Sequence, residues 1–295
     1  MKNATATARA NDQPSGNPAT IAQAIARAGI DRAEAGYLMQ AVTGRDRAGL
    51  IAHGDEPLDA ERVRCFLALA RRRRRGEPLA YLVGRRAFHE LDLEVGPGVL
   101  IPRPETELLV ELALARLPAH APVRVLDLGT GSGAIALSLA CARPQADIVA
   151  VDRSAAALTI AQRNLRRLHA SGGRVHLLCG DWYEALSPSA GFDLIVSNPP
   201  YVAVGDPHLA QGDLRFEPRE ALVAGDDGLA AIRRVVTGAH PHLKPGGMLL
   251  FEHGHDQAPS CRALLQTAGF CDLIAARDLA GLPRVAGGRL QSQAI

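Results

Sequence analysis

Residues 123–133 read Val-Arg-Val-Leu-Asp-Leu-Gly-Thr-Gly-Ser-Gly. An apolar run, Val123–Leu126, leads into an acid and three glycines spaced two apart, and an alanine-rich stretch, Ala134–Ala142, follows. Glycines let the backbone turn sharply and approach a ligand closely, with a helix N-terminus just behind. The stretch therefore predicts strand, tight loop, helix. Further apolar runs at Ile148–Val151, Val175–Leu178, Leu194–Val196 and Met248–Phe251 continue the rhythm, with helix-like segments at Ser154–His169 and Leu229–His240. Such alternation implies an α/β domain with a mainly parallel sheet covered on both faces. Cys271–Ala275 and Arg284–Leu290 are expected to add edge strands.

Upstream the texture changes. From Thr20 to about Arg75 it is helical, with Ile21, Ile25 and Ile30 at helical spacing and a second amphipathic stretch through Leu58, Val63, Phe66, Leu67 and Ala70. That stretch ends in Arg71 to Arg75 and then Gly76, Glu77 and Pro78. Arginines complement a helix C-terminus, glycine takes a left-handed cap and proline forbids continuation. The run reads as a solvated helix end or as a partner-facing patch. Leu91, Leu93 and Val95 then alternate with acids, Gly96-Pro97-Gly98 supplies a turn and Val99-Leu100-Ile101 resumes, which predicts a β-hairpin. Pro104 opens the next helix, with Glu105 and Glu107 at its positive end and Leu108, Leu109 and Leu112 as its buried stripe. The expected division is a flexible tail over 1–18, a helical domain over 19–86, a hairpin linker over 87–104 and the α/β domain over 105–295.

Composition excludes several classes. The 33 basic and 31 acidic side chains leave +2, which rules out a strongly cationic nucleic-acid coat. No apolar run reaches the ~18 residues of a membrane span, and the first 18 residues lack a hydrophobic signal core. Five cysteines without C-x-x-C spacing signal neither zinc nor a disulfide framework, and His253 and His255 alone do not make a metal site. A cytoplasmic protein with no metal is expected. The whole-chain figure conceals a basic segment: residues 59–86 hold nine arginines against Asp59, Glu61 and Glu77, a local excess of +6.

Ligands of such sheets bind beyond the carboxyl ends of the strands, and here four strand ends carry chemistry. The first is the glycine loop itself. At the second, Asp152 follows the loop by about 20 residues and can accept both hydrogen bonds of a ribose diol, a spacing that serves NAD and S-adenosylmethionine equally. The third is Cys179-Gly180-Asp181-Trp182, where Asp181 can accept from an adenine amino group and Trp182, the only tryptophan, offers a stacking face. The fourth runs Phe192-Asp193-Leu194-Ile195-Val196-Ser197-Asn198-Pro199-Pro200-Tyr201. Two prolines stop this strand abruptly. The Asn198 side-chain carbonyl and the freed Pro199 carbonyl are acceptors beside the flat wall of Tyr201, which suits a planar substrate bearing an NH2 group.

Asp127–Gly133 followed by Asn198–Tyr201 resembles the class I (Rossmann-like) S-adenosylmethionine-dependent methyltransferases that act on exocyclic or amide nitrogens. More narrowly, Leu100-Ile101-Pro102-Arg103-Pro104-Glu105-Thr106-Glu107 is similar to the signature of the protein-(glutamine-N5) methyltransferases of the HemK/PrmC type, in their release-factor branch. Leu79–Gly84, Gln211–Pro218 and Phe251–Gly254 are similar as well, so the resemblance runs from about Thr20 to Leu290. It implies methylation of the glutamine in the Gly-Gly-Gln loop of class-one peptide-chain release factors, with the helical domain recognising that substrate. By the same resemblance Gly129, Thr130, Gly131, Ser132, Gly133 and Asp152 hold S-adenosylmethionine, with Asp181 and Trp182 at its adenine and Asp127 near its methionine part. Asn198 touches both cofactor and target, and Asn198, Pro199, Pro200 and Tyr201 hold the target amide, with Asn198, Pro199 and Tyr201 the catalytic set.

The expected protein is a monomer with neither a membrane nor a direct nucleic-acid substrate. A ribosomal-protein glutamine, or adenine N6 or cytosine N4 of a nucleic acid, would suit the same Asn-Pro-Pro-Tyr chemistry. An NAD-dependent dehydrogenase needs the longer G-x-G-x-x-G spacing. A non-catalytic cofactor-binding scaffold would have no use for an intact Asn198–Tyr201 site.

Overall fold

In the computed structural model, which describes residues 19–168, 174–188 and 191–291, the chain forms two compact units that meet in sequence at Leu79 and Ala80. The expected tail over 1–18 lies outside the described residues.

The first unit is helical: α1 Ile21–Ala26, α2 Arg32–Thr43, α3 Arg47–Ala52 and α4 Ala60–Arg74. Each begins on a side-chain cap, Thr20, Asp31, Asp46 and Asp59 in turn, which satisfies amide groups that a helix start leaves unpaired. Ile21, Leu38, Met39, Leu50, Phe66 and Ala70 are buried and form its core. The arginine run ends α4 as expected, with Gly76 in the left-handed region (φ +89°). Arg72 and Arg73 of the run are committed internally. Arg73 grips both Glu34 carboxylate oxygens on α2, at 2.6 and 3.0 Å, and Arg72 pairs with Glu77.

Helix α5, Leu79–Val83, starts at the boundary, and the second unit continues with a hairpin, β1 Arg85–Phe88 and β2 Leu91–Glu94. This corrects the expected register. The turn lies at His89–Glu90, not at Gly96–Gly98, and Val99–Ile101 is not a strand. Nor is the hairpin a linker between domains. Phe88, Leu91 and Leu93 are buried in the core of the second unit with Leu109 and Val110 of α6 (Pro104–Leu114), so the boundary falls at 79/80 rather than 86/87. Within α6 the buried stripe is Thr106, Leu109, Val110 and Ala113, with Leu108 and Leu112 only partly covered.

The sheet contains β3 Arg124–Leu128, β4 Asp147–Asp152, β5 Arg174–Cys179, β6 Phe192–Ser197, β7 Leu243–Glu252, β8 Phe270–Arg277 and β9 Pro283–Leu290, in the order β5-β4-β3-β6-β7-β9-β8. β5 through β7 run parallel, while β9 is antiparallel to both neighbours. Of the last two strands only β8 lies at an edge, opposite β5 at the other. β9 inserts between β7 and β8, which corrects the expectation of two edges.

Alternate residues explain the burial on both faces. Val125, Ile148, Leu194, Val196 and Leu250 point into one cluster with α6 and α7 (Ala134–Ala142). Leu126, Val151, Ile195, Leu249 and Phe251 point into another, with α9 (Ala230–Gly238) and α10 (Ala258–Thr267). Helix α10 has no counterpart in the sequence reading, although Pro259 in its first turn is a start signal. α8 (Ala155–Arg167) carries the buried Asn164, whose amide exchanges hydrogen bonds with both backbone groups of Glu94 and donates to the Ser132 carbonyl at 3.0 Å. One side chain thus joins the hairpin to the glycine loop. Among the described residues no helix is long and apolar enough to cross a membrane.

Candidate functional site

β3 and β6 are adjacent, and the chain crosses to opposite sides from them, so the switch point lies where Asp127–Gly133 meets Asn198–Tyr201. A cavity of about 310 Å3 opens there, within the roughly 300–1,000 Å3 of small-molecule sites. Gly129, Thr130, Gly131, Ser132, Asp152, Asp181, Trp182, Asn198 and Pro200 line it, together with Thr106. The four strand ends picked out in the sequence therefore converge. Asp127, Gly133, Pro199 and Tyr201 are not among the lining residues.

Gly129 and Gly131 adopt φ of +73° and +56°, and a Cβ on either would meet no protein atom within 4 Å. The space they face is the cavity. Asp152 bridges the loop, accepting from the Gly131 amide and the Ser154 amide at 2.8 Å each. Each oxygen keeps a lone pair for a diol. Burial raises the Asp152 carboxyl above its ordinary range.

Asp181 has one oxygen on Arg234 at 2.7 Å, while the other, Oδ1, is buried and finds no partner among the described residues. An unused acceptor at that place fits an exocyclic amino group. Trp182 beside it is held at φ +55°, a conformation that costs a non-glycine residue about 1–2 kcal/mol. Its neighbour Tyr183 anchors the turn, stacking on His242 and donating to the Val235 carbonyl at 2.7 Å. The open glycine cradle and the unpaired Asp181 oxygen both fit an adenosine-bearing cofactor.

Asp127 lies beneath the glycine loop, not among the lining residues, with its Oδ1 without a partner among the described residues. Fully buried, it accepts from the Thr130 hydroxyl at 2.7 Å and the Ala136 amide at 3.2 Å, bracing the glycine loop from beneath. Burial pushes its carboxyl up to about 7.

At the far end, Asn198 Nδ2 donates to Thr106 Oγ1 at 2.9 Å, and the Thr106 hydroxyl donates to Glu252 Oε2 at 2.6 Å. The Tyr201 hydroxyl donates to Glu252 Oε1 at 3.2 Å, so the Tyr201 ring braces this chain from behind rather than walling the cavity. Glu252 is buried, and burial raises its carboxyl to about 7 against the opposing pull of Thr106, Tyr201 and Arg284. Another buried carboxylate shapes the wall. Glu217 accepts from the Ile101 amide at 3.0 Å and from Arg103 at 2.5 Å, tying Leu100–Pro102 to Pro218–Gly225, both of which contribute lining residues. The sequence reading assigned no role to Thr106, Glu217 or Glu252, although all three lie inside the motifs that carried the resemblance.

Comparison with known proteins agrees with this geometry. Residues 19–84 match the PrmC N-terminal domain and residues 105–212 the Methyltransferase small domain. A release factor glutamine methyltransferase of Burkholderia pseudomallei is 52% identical over 93% of this chain and 97% of its own. That of Escherichia coli is 48% identical over 88% and 92%. Among solved structures, a 16S rRNA N2 methyltransferase from T. thermophilus in complex with AdoMet and guanosine is 26% identical, with a TM-score of 0.52 over 70% of this chain and 50% of that one. Identity of this extent, continuous through both units and the cavity between the strand ends, makes this chain a member of the release factor glutamine methyltransferase family.

Proposed function

We propose that this protein transfers a methyl group from S-adenosylmethionine to the side-chain amide nitrogen (N5) of the glutamine in the Gly-Gly-Gln motif of class-one peptide-chain release factors. The observation that carries the reading is Asn198. Its NH2 is spent on Thr106, while its Oδ1 accepts nothing among the described residues at the wall of the cavity. A carbonyl acceptor beside the freed Pro199 carbonyl suits a carboxamide NH2, with one acceptor for each hydrogen.

Gly129 to Gly133, Asp152, Asp181 and Trp182 would hold the cofactor. When bound, it supplies a methyl already activated on a sulfonium. The amide nitrogen is a poor nucleophile because its lone pair is delocalised, so the protein's task is placement. Well-oriented reactants gain on the order of 7–11 kcal/mol from proximity. Acceptors on both NH2 hydrogens also favour the positive charge that develops on nitrogen. Asn198, Pro199, Pro200 and Tyr201 are accordingly the target-binding set, the last through its grip on Glu252.

The helical unit and its basic segment are proposed to engage the release factor. Arg64 and Arg71, two turns apart on one exposed face of α4, would meet acidic surface. We propose a cytoplasmic monomer, and the near-neutral overall charge favours a protein over a nucleic-acid substrate. Offering labelled methyl donor with a release factor in one reaction and with DNA, RNA or ribosomal protein in others tests the reading. Label in the release factor alone is expected, and label only elsewhere would overturn it.

A further inference from the structure

The four groups Tyr201, Glu252, Thr106 and Asn198 form one line of hydrogen bonds, and its proton count has a consequence. Glu252, when ionised, only accepts. Its two oxygens take the hydroxyl protons of Tyr201 and Thr106. Thr106 has a single hydroxyl proton, and once that is directed to Glu252 the oxygen presents only lone pairs to Asn198. Asn198 must then turn its NH2 toward Thr106, which leaves Oδ1 facing away. A proton on Glu252 Oε1, beside Tyr201, leaves this order intact. Only a proton on Oε2 reverses it. The charged groups acting on Glu252 are Arg284 on β9, which favours ionisation, and Glu105 on α6, which opposes it.

We propose that Thr106 and Glu252 are positioning residues for methyl transfer, which act by fixing the Asn198 amide so that its oxygen, not its nitrogen, meets the NH2 of the target glutamine. The proposal rests on the functional reading above. A flipped Asn198 would present two donors to a group that itself donates, so the target amide would lose its acceptor and be repelled from the reactive placement. Neither Thr106 nor Glu252 needs to touch the reacting atoms for this.

The test measures methyl transfer to a purified class-one release factor, with cofactor binding followed separately. Thr106→Val keeps the shape and removes the wire. It is expected to lower kcat at least about tenfold, the scale of a misplaced reactant, with the dissociation constant for S-adenosylmethionine within about twofold of wild type. Thr106→Ser retains the hydroxyl and should restore most of the rate. In an Asn198→Ala background, Thr106→Val should change kcat by less than about twofold, because its effect runs through the amide. Glu252→Gln, whose two ends can exchange, should slow the enzyme by a larger factor when Thr106 is present than once Thr106 is Val, the remainder passing through Tyr201.

A Thr106→Val rate near wild type, a Thr106→Ser variant as slow as Thr106→Val, or full additivity with Asn198→Ala would each overturn the proposal. Retained cofactor binding certifies that a slow variant is folded. Silence of the wild-type chain toward every release factor would instead overturn the functional reading, and this proposal with it.

Discussion

Gly228 is the place where a single methyl group should disturb the target site without touching the cofactor. Its φ is +70°, and a Cβ added there would lie 2.4 Å from the Tyr201 carbonyl oxygen and 2.8 Å from Gln257 Nε2. Gln257 is the clasp, donating to the Tyr201 carbonyl at 3.0 Å and to the Gly228 carbonyl at 3.3 Å. Gly228→Ala must therefore hold a left-handed alanine, at about 1–2 kcal/mol. It must also open a contact by about 1 Å to reach ordinary van der Waals distance, losing part of the clasp at about 1 kcal/mol. The total is about 2–3 kcal/mol of stability. A displacement of that size at the end of Asn198–Tyr201 should slow transfer by about tenfold to a hundredfold. Gly269→Ala is the control, with φ +80° but nothing within 4 Å of the added Cβ, so it bears the conformational cost alone. Chemical denaturation and initial rates of methyl transfer, measured on both variants, separate the terms. If Gly228→Ala matched Gly269→Ala in stability and in kcat, the reasoning would fail.

Three further outcomes follow from the same geometry. Asn198→Ala should cost about 100-fold or more in kcat, in line with the loss of one preorganised electrostatic partner, while donor affinity stays nearly intact; equal losses in both would show that Asn198 belongs to the cofactor site. Burial lifts Asp127 from 3.8 and Glu252 from 4.5 to about 7, so the folded state keeps protons that the unfolded chain releases. Stability should then fall as pH rises from about 4 to 7, by an amount on the order of 3 kcal/mol per group, and Asp127→Asn, which keeps an acceptor for Thr130, should flatten the slope; an unchanged slope in a pH series of thermal unfolding would refute this. Replacing Arg64 and Arg71 together with Gln should raise KM for the release factor severalfold and weaken its salt dependence, leaving kcat alone; no change in either quantity returns the arginines to the role of a solvated helix face.

The sheet was legible because its strands are apolar on both faces. Every apolar run in the α/β domain became a strand with boundaries within a few residues, except that Leu243–Gly247 extends β7 through polar, glycine-containing sequence. The hairpin was misread for a physical reason. Its first strand, Arg85-Arg86-Ala87-Phe88, buries only Phe88, and its turn uses His89 at φ +51° where glycine or asparagine would signal a turn. Gly96-Pro97-Gly98 looked the better turn, yet the segment beyond it is pinned by side chains: the Tyr81 hydroxyl holds the Val99 carbonyl at 2.5 Å and Glu217 holds the Ile101 amide. The cavity floor was visible because each ligand-facing residue follows directly on a strand. Thr106 and Glu252 were not, since they meet across 146 positions and neither residue type alone suggests a relay. Asp127 was legible as important, because an acid before a glycine loop can serve a ligand or brace the loop from below; its Oδ2 braces the loop, while its buried Oδ1 has no partner among the described residues.

Methyl transfer to the release-factor glutamine is read out by mass spectrometry of the tryptic peptide that carries the Gly-Gly-Gln motif, after a class-one release factor purified without this modification is incubated with the protein and S-adenosylmethionine. A gain of one methyl group is expected, located by fragmentation on the glutamine side chain and absent when the Asn198→Ala variant is used. An unmodified peptide, or a methyl group on any other residue, would contradict it.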